Sequence, residues 1–218
     1  NDTKTCPDTG MAGASRSLYM DGNATIIAAN KLLAAMRKED GTLRTYDEMK
    51  AEGIETKYLG RYETNTTPGL CRLDPNTGIG DPTPAFTYCL NLAEVEVDTK
   101  TGKTTVLKFT CVDFVGRIGN IDAVNGQAYS GIMHGIGFAL KEDYADVKKH
   151  ANMFGAGTSY IKDVPDDINL IHIDGAISDG PFGSSGASEA FQASGHCAVL
   201  NGIYNACGVR IHEIPALP

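Results

Sequence analysis

A chain of 218 residues can bury about 70% of its unfolded surface, in one sizeable core or two small ones. An apolar content of 42%, a charged content of 21% and a mean hydropathy of −0.18 belong to an ordinary globular protein and exclude wholesale disorder. A net charge of −8 with a pI near 5.1 argues against nucleic acid or an anionic membrane as partner, and leaves small molecules and other protein subunits.

Residues 1–13 are turn formers, and Gly13-Ala14-Ser15-Arg16 leads into apolar spacing at Leu18, Thr25, Ile26, Ala29, Leu32, Leu33 and Met36. This predicts a small-residue loop opening a long amphipathic helix, with Ser15 as an ordinary N-cap on the bland reading. Residues 39–53 are polar, with a short helical stretch at 46–51 and turns at Asp40-Gly41 and Glu52-Gly53. The segment 57–66 reads as extended and 67–84 as an exposed Pro/Gly-rich loop, so a subdivision of the chain is expected near 80–85.

From residue 85 the period becomes two. Ala93, Val95 and Val97 face one way and Glu94 and Glu96 the other, and a turn at 98–103 predicts a β-hairpin over 85–114. A second loop, Asp113-Phe114-Val115-Gly116-Arg117-Ile118-Gly119-Asn120, precedes a helix expected at 121–143. Glycines 126, 131, 135 and 137 each cost this helix roughly 1 kcal/mol against alanine. The i, i+4 pair Gly131 and Gly135 therefore predicts close approach of another backbone or of a bulky cofactor. Gln127 is either a solvated surface residue or a ligand-binding amide.

Residues 144–165 carry a turn at Gly155-Ala156-Gly157, and 169–173 alternate as a short strand. Then Gly180-Pro181-Phe182-Gly183-Ser184-Ser185-Gly186-Ala187-Ser188-Glu189 forms a glycine-rich turn feeding a helix, whose apolar positions are Ala193, Cys197, Leu200, Ile203, Tyr204 and Cys207. Such a loop offers backbone N–H groups and the positive end of the helix dipole to an anion. Glu189 falls at the first helical turn, where an acidic residue is favoured by the dipole alone. Gly208 is the expected C-cap, and 209–214 the expected final strand.

Five histidines show no ligand spacing such as H-x-x-x-H, so no protein side chain is expected to ligate a metal. Six cysteines (Cys6, Cys71, Cys89, Cys111, Cys197 and Cys207) lack C-x-x-C or metal-type clustering, and several sit in apolar runs. A reducing, cytoplasmic compartment is the expectation, with no signal peptide and no apolar run long enough to span a bilayer. The chain opens on Asn1 inside motif-like sequence and stops on Pro218, which reads as a piece of something larger.

The segment 180–189 resembles the C-terminal molybdenum-binding part of the xanthine oxidase and aldehyde oxidoreductase family, whose signature is G-P-[FY]-G-x-[SK]-G-V-G-E. Gly180, Pro181, Phe182, Gly183, Ser185, Gly186 and Glu189 match, while Ala187 and Ser188 replace valine and glycine and alter the pocket wall. Gly13, Ala14, Ser15 and Arg16 resemble the family's G-[GA]-S-R loop. The hairpin resembles its E-V-x-V-D-x-x-T-G element, and Gly126-Gln127 through Gly137 its G-Q-x-x-G-G-x-x-x-G-x-G helix, with Ser130 as a departure. The likeness runs over nearly the whole chain and is nearest to bacterial aldehyde oxidoreductases and to split nicotinate dehydrogenase-type molybdenum subunits.

This resemblance implies an α+β fold with mixed sheets or hairpins and glycine-rich helices, residues 1–218 being the C-terminal part of a molybdopterin-binding region, as a fragment or a separate subunit. It implies molybdopterin with molybdenum, as the cytosine dinucleotide, in a composite cradle. Gly13, Ala14, Ser15, Arg16, Asn120, Gln127, Ser185 and Gly186 are its expected contacts and Glu189 the general base. The implied reaction hydroxylates an aldehyde or N-heterocycle with oxygen from water. The implied partners are the other half of the molybdenum region and 2Fe-2S domains or subunits, with or without FAD. Two rivals stand beside it. One is a non-catalytic structural subunit, against which retention of Glu189, Gln127 and Ser185 speaks. The other is a different nucleotide-binding enzyme, for which no phosphate-loop or Rossmann motif is present.

Overall fold

The computed structural model describes every residue except 1, 3, 7, 9, 10, 65–71, 75, 82, 84 and 178, with backbone alone at 72, 73 and 81. Thr9 and Gly10, Cys71 and eight of the eighteen residues of the expected 67–84 loop lie outside the described residues. The chain forms two compact units, residues 1–86 with 176–186, and residues 87–175 with 187–218.

The first unit is built on α1 (Arg16–Met36) and α2 (Tyr46–Ala51). The face that α1 buries keeps only part of the expected stripe, with Ile26, Leu32 and Met36 partly covered. Leu18, Thr25, Ala29 and Leu33 are exposed, whereas Tyr19 is buried and Gly22, Asn23 and Ile26 are partly covered, an i, i+3, i+4, i+7 set one step round the helix. Two glycines admit close neighbours to α1. A Cβ on Gly60 would stand 1.8 Å from the Ala24 carbonyl oxygen, and one on Gly22 would stand 2.7 Å from the Pro181 ring, so only glycine permits these approaches. α2 starts with a capping box, in which the Glu48 amide donates to Thr45 Oγ1 at 3.3 Å and the Thr45 amide donates to Glu48 Oε2 at 2.7 Å. Within the stretch expected to be loop, β1 (Arg72–Leu73) pairs antiparallel with β2 (Gly80–Asp81), closing a turn in which the Asp74 amide donates to the Ile79 carbonyl at 2.9 Å.

The second unit is a three-stranded mixed sheet under three helices, an α+β arrangement as expected. β3 (Tyr88–Val97) and β4 (Thr104–Phe114) form the antiparallel hairpin. Its turn is held by the Lys100 amide donating to Asp98 Oδ1 at 2.9 Å, with Gly102 at φ 76°. α3 (Ile121–Leu140) then crosses over to β5 (Asp167–His172), which lies parallel to β4, giving the order β3-β4-β5. A parallel neighbour needs such a long crossover. Among the described residues no helix is long and apolar enough to cross a membrane.

Along β4 the inward residues are Val106, Phe109, Cys111 and Asp113. The three-residue step from Val106 to Phe109 breaks the period of two, because a bulge opposite Glu94 and Val95 inserts Leu107. Phe109 and Phe191 are both fully buried in the core formed with Ile132, Ile136, Val199 and Ile203. Burial of each phenylalanine contributes about 1.5–3 kcal/mol.

Three expectations are corrected. α3 ends at Leu140, not 143, where the Lys141 and Glu142 amides both donate to the Gly137 carbonyl at 2.8 Å. The helix after Glu189 is two helices, α4 (Ser188–Ala193) and α5 (Gly195–Cys207), broken at Ser194. Of the expected stripe Ile203 is buried and Leu200 partly buried against the core, together with Phe191, Gly195 and Val199, while Ala193, Cys197, Tyr204 and Cys207 are exposed. Residues 209–214 pair with no strand. Their alternation serves to place Ile211 against the core, and the Ala216 amide donates to the Ala139 carbonyl at 2.6 Å. Gly208, at φ 73°, is the C-cap as expected.

Candidate functional site

The first unit carries two of the predicted loops. Ala14 and Ser15 both stand at φ 55°, consecutive non-glycine residues in the left-handed region. Ser15 is the N-cap of α1, yet its side chain makes no capping bond and the first turn holds no acidic residue. The bland N-cap reading of Ser15 therefore fails. The Arg16 amide donates to the Gly13 carbonyl at 3.3 Å, and the dipole of this helix of 21 residues, with exposed Arg16 as its first residue, favours an anion at its N-terminus.

The second loop turns through a 3-10 segment, Pro181–Gly183, in which Phe182 is at φ 53° and 79% exposed. Ser184 and Ser185 behind it are buried. A Cβ on Gly186 would stand 1.8 Å from the Ser15 carbonyl oxygen, so the two loops pack backbone on backbone at Ser15 and Gly186. Among the described residues, Ala14, Ser15 and Phe182 are the non-glycine residues at positive φ. Each such position costs on the order of 1–3 kcal/mol, and backbone strain of this kind concentrates at ligand clamps and active sites.

The second unit carries the rest. Asn120 caps α3, its Oδ1 accepting from the Ala123 amide at 3.0 Å. Gln127 lies two turns along, exposed, and its Oε1 accepts a hydrogen bond of 2.5 Å from Ser188 Oγ. Glu189 follows immediately, exposed in the first turn of α4. The unit thus brings together Gln127 and the residue next to Glu189. A Cβ on Gly119 would meet nothing within 4 Å. For Gly131 and Gly135 the two readings separate, since a Cβ on Gly131 would stand 2.5 Å from Phe191 Cβ and one on Gly135 2.8 Å from Gly195 Cα. These glycines serve the close packing of α3 on α4 and α5.

A buried polar tie was missed in the sequence. His172 Nδ1 lies 2.7 Å from Asp113 Oδ2 and its Nε2 2.8 Å from Asn125 Oδ1, joining β5, β4 and α3 just before and after the loop 115–120. Asp113 is 1% exposed; burial pushes its carboxyl up, and the hydrogen bond from His172 opposes that shift. The signal was legible in the alternation Phe109, Cys111, Asp113, which sets a carboxylate on the core face. Among the described residues no group of three or more His, Cys, Asp or Glu side chains is placed to hold a metal. The arrangement supplies anion-oriented backbone, an amide held by a hydroxyl, and one carboxylate able to take a proton.

The description "Molybdopterin cofactor-binding domain" matches residues 1–165, ending before the Gly180 to Glu189 segment. Over 217 residues the chain is 42% identical to the aldehyde oxidoreductase of Megalodesulfovibrio gigas, covering all of this chain and 24% of that protein. It superposes on the crystal structure of the aldehyde oxidoreductase from Desulfovibrio desulfuricans with a TM-score of 0.92 at 45% identity, over 100% of this chain and 24% of that one. A probable hypoxanthine oxidase of Escherichia coli is 30% identical over 136 residues, 61% of this chain and 14% of that protein. The chain spans about a quarter of the length of the aldehyde oxidoreductases. By this match and this likeness, the chain belongs to the molybdopterin cofactor-binding domain family of the aldehyde oxidoreductases and xanthine dehydrogenases.

Proposed function

We propose that the chain is the C-terminal part of the molybdopterin-binding region of a cytoplasmic molybdenum hydroxylase acting on an aldehyde or N-heterocycle, with water as oxygen source. It works with the remaining half of that region and with 2Fe-2S domains or subunits, with or without FAD, and is inactive alone. Gly13, Ala14, Ser15, Arg16, Ser185, Gly186, Asn120 and Gln127 hold the cofactor, as the cytosine dinucleotide. The observation that carries the reading is that, among the described residues, strained non-glycine backbone falls at Ala14, Ser15 and Phe182, in the two loops that resemble the family's cofactor contacts. The N-terminus of α1 and Arg16 suit the phosphate groups of such a ligand, and the open space at Gly119 leaves room for it.

When bound, the cofactor supplies two-electron redox chemistry at molybdenum. Glu189 accepts the proton of the attacking water on its carboxylate, a task that needs an ionised group within hydrogen-bond reach. Gln127, held by Ser188, presents its amide donor in a fixed direction. A non-catalytic module is the second reading, favoured by Asn120, whose side-chain oxygen is taken up in capping α3.

One variant separates them. Glu189→Gln, nearly isosteric but unable to take the proton, is expected to leave molybdenum occupancy intact and to lower turnover of the complete enzyme per bound molybdenum by about 10²–10⁴-fold. Turnover near the wild-type value would reduce Glu189 to a charge at a helix end.

A further inference from the structure

Cys89 on β3 and Cys111 on β4 lie on the inward face of the hairpin, and their sulfurs stand 3.3 Å apart. The register explains the contact. Cys89 is directly opposite Asp113 and Cys111 directly opposite Asn91, so the two cysteines are diagonal neighbours on one face. We propose that Cys89 and Cys111 are a redox pair in which Cys89 is attacked first by a hydroperoxide and Cys111 resolves it to an intramolecular disulfide.

Exposure assigns the roles. Cys111 is fully buried and out of reach of an oxidant, while Cys89, on the edge strand, is only half-buried. Hydrogen bonding assigns them the same way. The hydrogen bond between the two sulfurs lowers the Cys89 thiol below its ordinary value, while the same bond and burial push Cys111 up. An acidified, reachable thiol beside a resolving one is the arrangement in which sulfenic acid forms and is captured.

The chemistry balances with hydrogen peroxide as oxidant. Cys89 thiolate attacks one peroxide oxygen, forming its sulfenic acid and releasing hydroxide, which takes up the proton the thiol had lost to give water. The Cys111 sulfur then displaces the sulfenic hydroxyl, the thiol proton leaves with it as a second water, and the S–S bond forms. Two thiols are oxidised and one peroxide is reduced. Bond formation closes the sulfur–sulfur gap by about 1.3 Å, and for a diagonal pair it also draws the backbones of the two strands together. A dithiol restores the pair, as expected of a transient disulfide in a reducing compartment.

The test treats the purified protein with hydrogen peroxide, blocks residual thiols under denaturing conditions and digests it without reductant. The expected result is one linked species containing the Cys89 and Cys111 peptides, a matching loss of alkylation at both, and full recovery with dithiothreitol. In Cys111→Ser, Cys89 is expected to stop at a sulfenic acid trapped by a cyclic dione, and in Cys89→Ser, Cys111 is expected to stay fully alkylatable. Cys111 that remains alkylatable in the wild-type protein after Cys89 has oxidised, or a linkage of either cysteine to exposed Cys6, Cys197 or Cys207, overturns the proposal.

Discussion

The hydroxyl of Ser188 donates to Oε1 of Gln127 at 2.5 Å, tying the helix that carries Gln127 to the residue before Glu189. Glycine, which the related signature has at this position, offers no such bond. Ser188→Ala releases the Gln127 amide and removes about 1 kcal/mol of orienting energy. The expected outcome is a loss of about fivefold in retention of the cofactor by the complete enzyme. It is measured as molybdenum and pterin per protein after dialysis, with the unfolding midpoint little changed because both residues are exposed.

Gly186 and Gly119 are expected to respond in opposite ways. A Cβ at 186 would overlap the Ser15 carbonyl oxygen, so Gly186→Ala forces the two loops of the first unit apart and lowers both stability and molybdenum content. A Cβ at 119 meets nothing, so Gly119→Ala leaves the unfolding midpoint of the apoprotein unchanged and lowers molybdenum content alone. Full molybdenum in Gly119→Ala removes Gly119 from the cofactor's surroundings.

The helix glycines divide in the same manner. Gly135→Ala places a methyl group 2.8 Å from Gly195 Cα and is expected to destabilise by about 2–3 kcal/mol, in line with overpacking of a core. Gly126 is exposed, with nothing within 4 Å of a built Cβ, so Gly126→Ala is expected to stabilise by about 0.5–1 kcal/mol. Denaturant midpoints of the two variants check both signs.

Acid is expected to loosen α2. Lys38 donates to Glu48 Oε1 at 2.8 Å and the Thr45 amide to Oε2 at 2.7 Å, bonds that lower the Glu48 carboxyl from 4.5 to about 2. Its folded value lies below its unfolded one, so its contribution is complete above the unfolded value of 4.5 and is lost as pH falls through about 2. A carboxyl NMR titration reads the Glu48 midpoint directly, and amide exchange in α2 between those two values rises in the wild type but not further in Glu48→Gln.

Local signals in the sequence determined the elements whose cause is local. The hairpin of β3 and β4 follows from alternation around an Asp98 turn, the start of α3 from Asn120, the end of α5 from Gly208, and α2 from Thr45 and Glu48 three residues apart. The motif residues of the candidate site were legible too, because glycine loops and a helix-start glutamate keep fixed spacing along the chain. What the tertiary structure alone decided depends on which surfaces meet. α1 buries Tyr19 and partly covers Ile26 while leaving Leu18 and Leu33 exposed, and Gly22 admits the Pro181 ring on that side. Residues 209–214 form no strand because alternation places side chains but cannot supply a partner's hydrogen bonds. The tie between Gln127 and Ser188 joins residues 61 apart, and that between Asp113 and His172 residues 59 apart. Periodicity cannot report on either, since each bond exists only once α3, α4 and the sheet have packed.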